Sequence, residues 1–131
     1  MKVAELMSKD LVTVSADTRV TATTQAMRNK RSSCVVVVSE GRKPVGIVTE
    51  NDFVVRVLSV EKNPQGTSIS EIMSEPLIHV APETSVLEAI GIMHEKNFSQ
   101  LPVLENGQLV GLVRLADLMQ YLVGFFSAHR W

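Results

Sequence analysis

The most concentrated polar chemistry in the sequence is the run Thr49-Glu-Asn-Asp52, which closes a Gly-x-x-x-x-x-Asp pattern opened by Gly46 and repeated from Gly111 to Asp117. Each aspartate stands near the expected start of a helix, where a carboxylate complements the helix dipole by about 0.3–1 kcal/mol. In the second pattern Arg114 occupies the place of Thr49, and Ala116 that of Asn51. His79, His94 and His129 are scattered, with no second imidazole or cysteine at ligand spacing, so no metal site is expected. Cys34, in an apolar run, reads as a small core residue rather than a reactive thiol. The basic run Arg28-Asn-Lys-Arg31 reads as the solvated last turn of a helix. With no nucleophile paired to a base and no glycine loop ahead of a lysine, catalysis is not expected.

The elements that must position these residues occur twice. Val3-Ala-Glu-Leu-Met-Ser8 returns as Ile69-Ser-Glu-Ile-Met-Ser74, 66 positions on, and this offset holds to Gly41 and Gly107. From Gly46 and Gly111 onward it is 65, so one residue is lost in the turn between. Each copy runs lead-in, short strand, helix, strand, tight turn, strand, helix. The short strands are Leu11-Val-Thr-Val14 and Leu77-Ile-His-Val80. In the second copy Ser85 precedes Glu88 at capping-box spacing, and Val86, Ala89, Ile90 and Met93 recur at helical spacing. The first copy repeats that stripe with Val20, Thr24 and Met27, but its threonines predict a weaker helix. Cys34-Val-Val-Val-Val38 and Leu101-Pro-Val-Leu104 read as buried strands. Asn106-Gly107 is a hairpin turn, and Glu40-Gly41 with Pro44 a looser one. Val45–Val48 and Leu109–Val113 return, and the closing helices are expected from Asp52 to about Val60 and from Asp117 to Val123. The division is repeat one at residues 1–60, linker at 61–68, repeat two at 69–124 and tail at 125–131, whose three aromatics read as packing residues.

Composition bounds the partners. A chain of 131 residues with 45% hydrophobic content can bury a sizeable core. A net charge of −1, with both signs interspersed, offers no footprint for DNA, RNA or an anionic membrane. The single cysteine forbids an intrachain disulfide, and with no signal-peptide pattern or membrane-length apolar stretch the cytoplasm is expected.

In order, spacing and duplication the pattern resembles a tandem pair of cystathionine-β-synthase (CBS) domains. The residues that carry the resemblance are Glu71-Ile-Met-Ser74, Val80-Ala-Pro-Glu-Thr84, Glu88-Ala89 with Met93, Leu101-Pro-Val103, Asn106-Gly107 and the two Gly-x-x-x-x-x-Asp endings. It implies an α/β fold in which two pseudo-symmetric repeats, strand-helix-strand-strand-helix each, pack as one module, with clefts that in many members take AMP, ADP, ATP or S-adenosylmethionine. No obligatory cofactor is implied. Thr49-Glu-Asn-Asp52 matches the family's Thr/Ser-x-x-Asp motif: Asp52 would accept from the ribose hydroxyls, Thr49 would contact ribose or α-phosphate, and Asn51 would add a donor. By family position, adenine would lie near Val12, Val14, Cys34 and Val35, with His79, Leu101 and Pro102 lining the second cleft beside Arg114 and Asp117. There the chain departs from the pattern. Arg114 would bind a di- or triphosphate through its fork, or pair with Asp117 and close the cleft. The expectation is a regulatory sensor of adenylate level, homodimeric and acting on an effector in another protein. The alternative is a structural dimerisation module with degenerate nucleotide sites.

Overall fold

The computed structural model describes residues 1–129. In chain order its elements are β1 (Thr13–Ser15), α1 (Val20–Lys30), β2 (Cys34–Val38), β3 (Pro44–Thr49), α2 (Glu50–Phe53), α3 (Val86–Lys96), β4 (Gln100–Glu105), β5 (Gln108–Arg114) and α4 (Leu115–His129). Residues Leu11–Ile78 form one compact unit; Met1–Asp10 and the chain from His79 onward form the other. The unit boundaries therefore differ from the sequence repeats, because each copy's lead-in packs with the other copy.

In the unit Leu11–Ile78, β1 runs parallel to β2, and β2 pairs antiparallel with β3. Its core is built from one face of β2 (Val35 and Val37), one stripe of α1 (Val20 and Met27) and the lead-in residues Ile69 and Ile72. The lead-in Ile69–Glu71 is a single 3₁₀ turn, closed by the Glu71 side chain accepting from the Ser68 N–H at 2.7 Å. Beyond it Ser74 and Ile47 exchange backbone bonds of 2.9 and 3.3 Å, and Met73 lies on Gly46. A Cβ at Gly46 would stand 2.5 Å from Met73 Sδ and 3.0 Å from the Ser74 carbonyl, so Met73 would have to shift and the backbone to give.

The other unit repeats these devices. Val3–Glu5 is a 3₁₀ turn closed by Glu5 accepting from the Lys2 N–H at 2.9 Å, Ser8 and Leu112 exchange bonds of 2.8 and 2.9 Å, and Met7 lies on Gly111. The hairpin of β4 and β5 turns through Asn106 and Gly107, both at positive φ as their types favour. Among the described residues no helix is long and apolar enough to cross a membrane.

Several expectations need correction. The strand at Leu77–Val80 is reduced to a bridge at Val80, whose N–H donates to Pro102 and whose carbonyl accepts from Leu104; the tight Ala81–Thr84 turn ends it at once. The first copy's strand is Thr13–Ser15 instead of Leu11–Val14. Helix α1 is as long as α3, 11 residues. Its threonine hydroxyls bond back to carbonyls of the preceding turn, Thr23 to Arg19 and Thr24 to Thr21, and its first N–H groups donate to Thr67 and Pro64, so the linker completes its start. The helix expected from Asp52 to Val60 starts at Glu50 and widens into a π-helical turn at Val54–Leu58. Ser59 Oγ occupies the Val55 carbonyl at 2.6 Å, and the Ser59 N–H reaches past it to Val54 at 2.9 Å. Helix α4 begins at Leu115 and runs through Val123 into the expected tail, to His129. Phe125 meets Tyr121 with ring centroids 6.3 Å apart, while Trp131 lies outside the described residues.

Candidate functional site

The sheet of the unit Leu11–Ile78 brings Cys34, Val35, Thr49 and Asp52 to one end, whereas Val14 is in register with Val37, further along β2. Cys34, first in β2, is in register with Thr49, last in β3, and the Val36 N–H donates to the Val12 carbonyl at 3.0 Å. The chain then turns into α2, where the Glu50 N–H donates to the Ser33 carbonyl at 3.2 Å. Asp52 therefore lies beside Thr49. Its Oδ2 accepts from the Thr49 N–H at 2.9 Å and faces Thr49 Oγ1 at 3.4 Å, while Oδ1 stands 3.7 Å from Arg56 Nε. The residue is only 7% exposed. A carboxylate offers about four acceptor positions, so Oδ1, which no hydrogen bond at normal distance occupies, keeps capacity for a ligand hydroxyl.

The other residues contribute unequally. Val12 and Val35 are buried in the core cluster and Val14 packs against it, so their side chains serve the fold. Cys34 is buried and Asn51 is exposed. In the second unit Leu101 and Pro102 are buried in β4, in register with Val113 and Leu112, and His79 is exposed beside the Val80 bridge. Arg114, half-buried, ends β5 opposite Gln100, and the Leu115 N–H donates to the Ser99 carbonyl at 2.8 Å as Glu50 does to Ser33. Among the described residues Arg114 and Asp117 form no ion pair; Asp117 is half-buried and faces Glu5, Leu6 and Met7 across a hollow. No group of His, Cys, Asp and Glu among the described residues could hold a metal ion.

The sequence reading missed Arg56. Besides its approach to Asp52, its Nη1 donates to the Ile72 and Met73 carbonyls at 3.1 and 3.2 Å, tying the candidate carboxylate to the second copy's lead-in. Its spacing, four residues after an aspartate, was the available signal.

A sequence profile of the CBS domain matches residues 3–59 and again residues 69–124. The chain belongs to the CBS domain family. It is a CBS domain pair, a regulatory type of module. Protein MK0525 of Methanopyrus kandleri is 36% identical over 127 residues, covering 94% of this chain and 65% of the relative. The CBS domain-containing protein CBSCBSPB1 of Arabidopsis thaliana is 31% identical over 117 residues, covering 89% of this chain and 22% of the relative. The chain thus spans less than two thirds of either relative. Among solved structures, a CBS-domain protein from Burkholderia ambifaria has a TM-score of 0.88 at 28% identity, with 100% and 97% of the two chains covered. The CBS domain pair of protein MJ0100, solved with 5′-methylthioadenosine and S-adenosyl-L-methionine, has a TM-score of 0.87 at 24% identity, covering 95% of this chain and 98% of that one; this likeness is one of fold.

Proposed function

We propose that this CBS pair is a non-catalytic regulatory module that senses an adenosyl nucleotide, with Asp52 as the ribose-binding group. The observation that carries the reading is the placement of Asp52: Oδ2 is fixed by the Thr49 N–H, and Oδ1 keeps acceptor capacity at the sheet end where Cys34 and Thr49 pair. The adenosyl complex of the MJ0100 pair supports the ligand class. Thr49 Oγ1 and Asn51 supply further polar contacts. AMP, ADP, ATP and S-adenosylmethionine share the ribose and adenine that this site reads. Arg114 and Ala116 remove the hydroxyl and amide from the Asp117 copy, so one strong site per chain is expected, with Leu101, Pro102 and His79 flanking a weaker one.

A thermal-shift screen against these four compounds and their guanosine counterparts tests the reading. A ligand at about 100 times its dissociation constant adds roughly 2.7 kcal/mol of stability. Selective adenosyl stabilisation that Asp52→Ala removes is the expected result; no shift with any adenosyl compound would refute it.

Dimerisation belongs to the same proposal. The two copies expose apolar side chains at matching positions, Val54 (54%) with Met119 (47%) and Leu58 (66%) with Val123 (62%). Such duplicated faces suit a second copy of the chain, joined by twofold symmetry. The expected species in sedimentation velocity is a dimer that Leu58→Asp with Val123→Asp converts to monomer. The signal then passes to an effector protein as a shift between dimer arrangements, limited by the ligand's differential affinity for them.

A further inference from the structure

The two copies differ at one basic position, Arg56 against Tyr121, in a way that exposes a second kind of site. In the unit Leu11–Ile78 the Arg56 guanidinium is held by the carbonyls of Ile72 and Met73, at 3.1 and 3.2 Å, and by Asp52 Oδ1 at 3.7 Å. The repeat places Leu6, Met7 and Asp117 at the positions of those three acceptors, and Tyr121 at that of Arg56. The backbones correspond closely: Leu6 has φ −119° and ψ −7°, Ile72 has φ −121° and ψ −5°. The Met7 N–H donates to Val3 at 2.9 Å and the Met73 N–H to Ile69 at 3.1 Å, so the two lead-ins aim their carbonyls alike. In the second unit these groups border a hollow of about 380 Å³, lined by Glu5, Leu6, Met7, Asp117, Gln120 and Tyr121. The lining holds two carboxylates and no lysine or arginine. Glu5 uses Oε2 to cap its own turn, and among the described residues the Asp117 side chain makes no hydrogen bond or ion pair.

We infer that this hollow binds a guanidinium group supplied by a ligand, seated on Leu6, Met7 and Asp117 as Arg56 is seated in the other copy. A planar guanidinium can serve two carbonyls and a carboxylate at once, which a compact ammonium serves less well. Tyr121 adds a ring for a cation–π contact, and Glu5 a second negative charge. The source is a free guanidino compound or an arginine side chain of another chain.

Amide chemical-shift titration of the full chain tests this, with agmatine, a capped arginine-containing tetrapeptide, and butylamine as the ammonium control. Saturable shifts at Met7, Gln120 and Tyr121 are expected with agmatine or the peptide, and weaker ones with butylamine. Tighter binding of agmatine assigns the site to a free compound; tighter binding of the peptide assigns it to a protein arginine. Asp117→Asn should weaken binding by about 10-fold or more. Tyr121→Arg, which supplies the guanidinium from within, should abolish binding and raise the melting temperature, whereas Asp52→Asn should leave it intact. Absence of saturable shifts at those amides, an equal response to butylamine, or binding that survives both Asp117→Asn and Tyr121→Arg would overturn the inference. Adenosyl binding without agmatine binding overturns this inference alone, and agmatine binding without adenosyl binding overturns the adenosyl reading alone.

Discussion

Asp52 has one observed duty, capping Thr49, and one proposed duty, binding ribose, and substitution can separate them. Its Oδ2 satisfies the Thr49 N–H, so Asp52→Ala leaves that donor without its partner and is expected to cost about 1–3 kcal/mol of stability in urea denaturation. Asp52→Asn retains an amide oxygen for the cap but loses the charge. It should unfold closer to the parent while adenosyl affinity still falls about 10- to 150-fold. Gly46 carries a different constraint, since a Cβ there would meet Met73 Sδ at 2.5 Å and the Ser74 carbonyl at 3.0 Å. Gly46→Ala is expected to destabilise by about 1–3 kcal/mol, and Met73→Ala in the same chain to recover part of it, measured as a double-mutant cycle. The Thr49-x-x-Asp52 motif was readable from its spacing, but the cap that the Asp52 carboxylate makes with the Thr49 N–H was not read from it. The methionine–glycine contacts were not readable, because both copies carry both motifs and the sequence alone does not say whether Met7 rests on Gly46 or on Gly111. The same degeneracy hid the carbonyls that Arg56 reaches.

Helices α1 and α3 show how one geometry is reached by two local routes. In α3 the Glu88 N–H donates to Ser85 Oγ at 3.1 Å, one half of the capping box that the spacing predicts. Ser85→Ala should cost about 0.5–2 kcal/mol by chemical denaturation and fray α3 from its start. Helix α1 starts at Val20, preceded by Arg19, which gives no side-chain cap, and takes carbonyls of Thr67 and Pro64 in its place. Propensity therefore underrated α1, since the compensation comes from residues more than 40 positions downstream. Both helices end alike, with Arg31 and Asn97 at positive φ and the next N–H closing back to Met27 and Met93. The basic run from Arg28 is thus a helix end, as its composition suggested. Apolar runs gave the strands reliably, but where they paired too briefly, as at Val80, or where a serine hydroxyl diverted the helix ladder, as at Ser59, the boundaries shifted.

The exchange of lead-ins is the feature of the whole chain that the repeat alone did not reveal. Duplication predicts two similar units, yet the unit that carries Asp52 draws Ile69 and Ile72 into its core from beyond the linker. A fragment of residues 1–60 lacks both, whereas residues 11–78 keep the full core cluster. By circular dichroism and amide dispersion the first fragment should be unfolded and the second substantially ordered; equal folding of the two would contradict the exchange. Arg56 links Asp52 to the carbonyls of that borrowed lead-in, so under the proposed function a ligand that engages the carboxylate would act on both. Sensing nonetheless depends first on binding. The most direct measurement is calorimetric titration of the parent chain and of Asp52→Asn with AMP, ADP, ATP and S-adenosylmethionine. The adenosyl reading predicts saturable binding of at least one compound, near one site per chain, weakened at least about 10-fold by the substitution. Binding that is unchanged in Asp52→Asn, or no binding by the parent to any of the four, would contradict it.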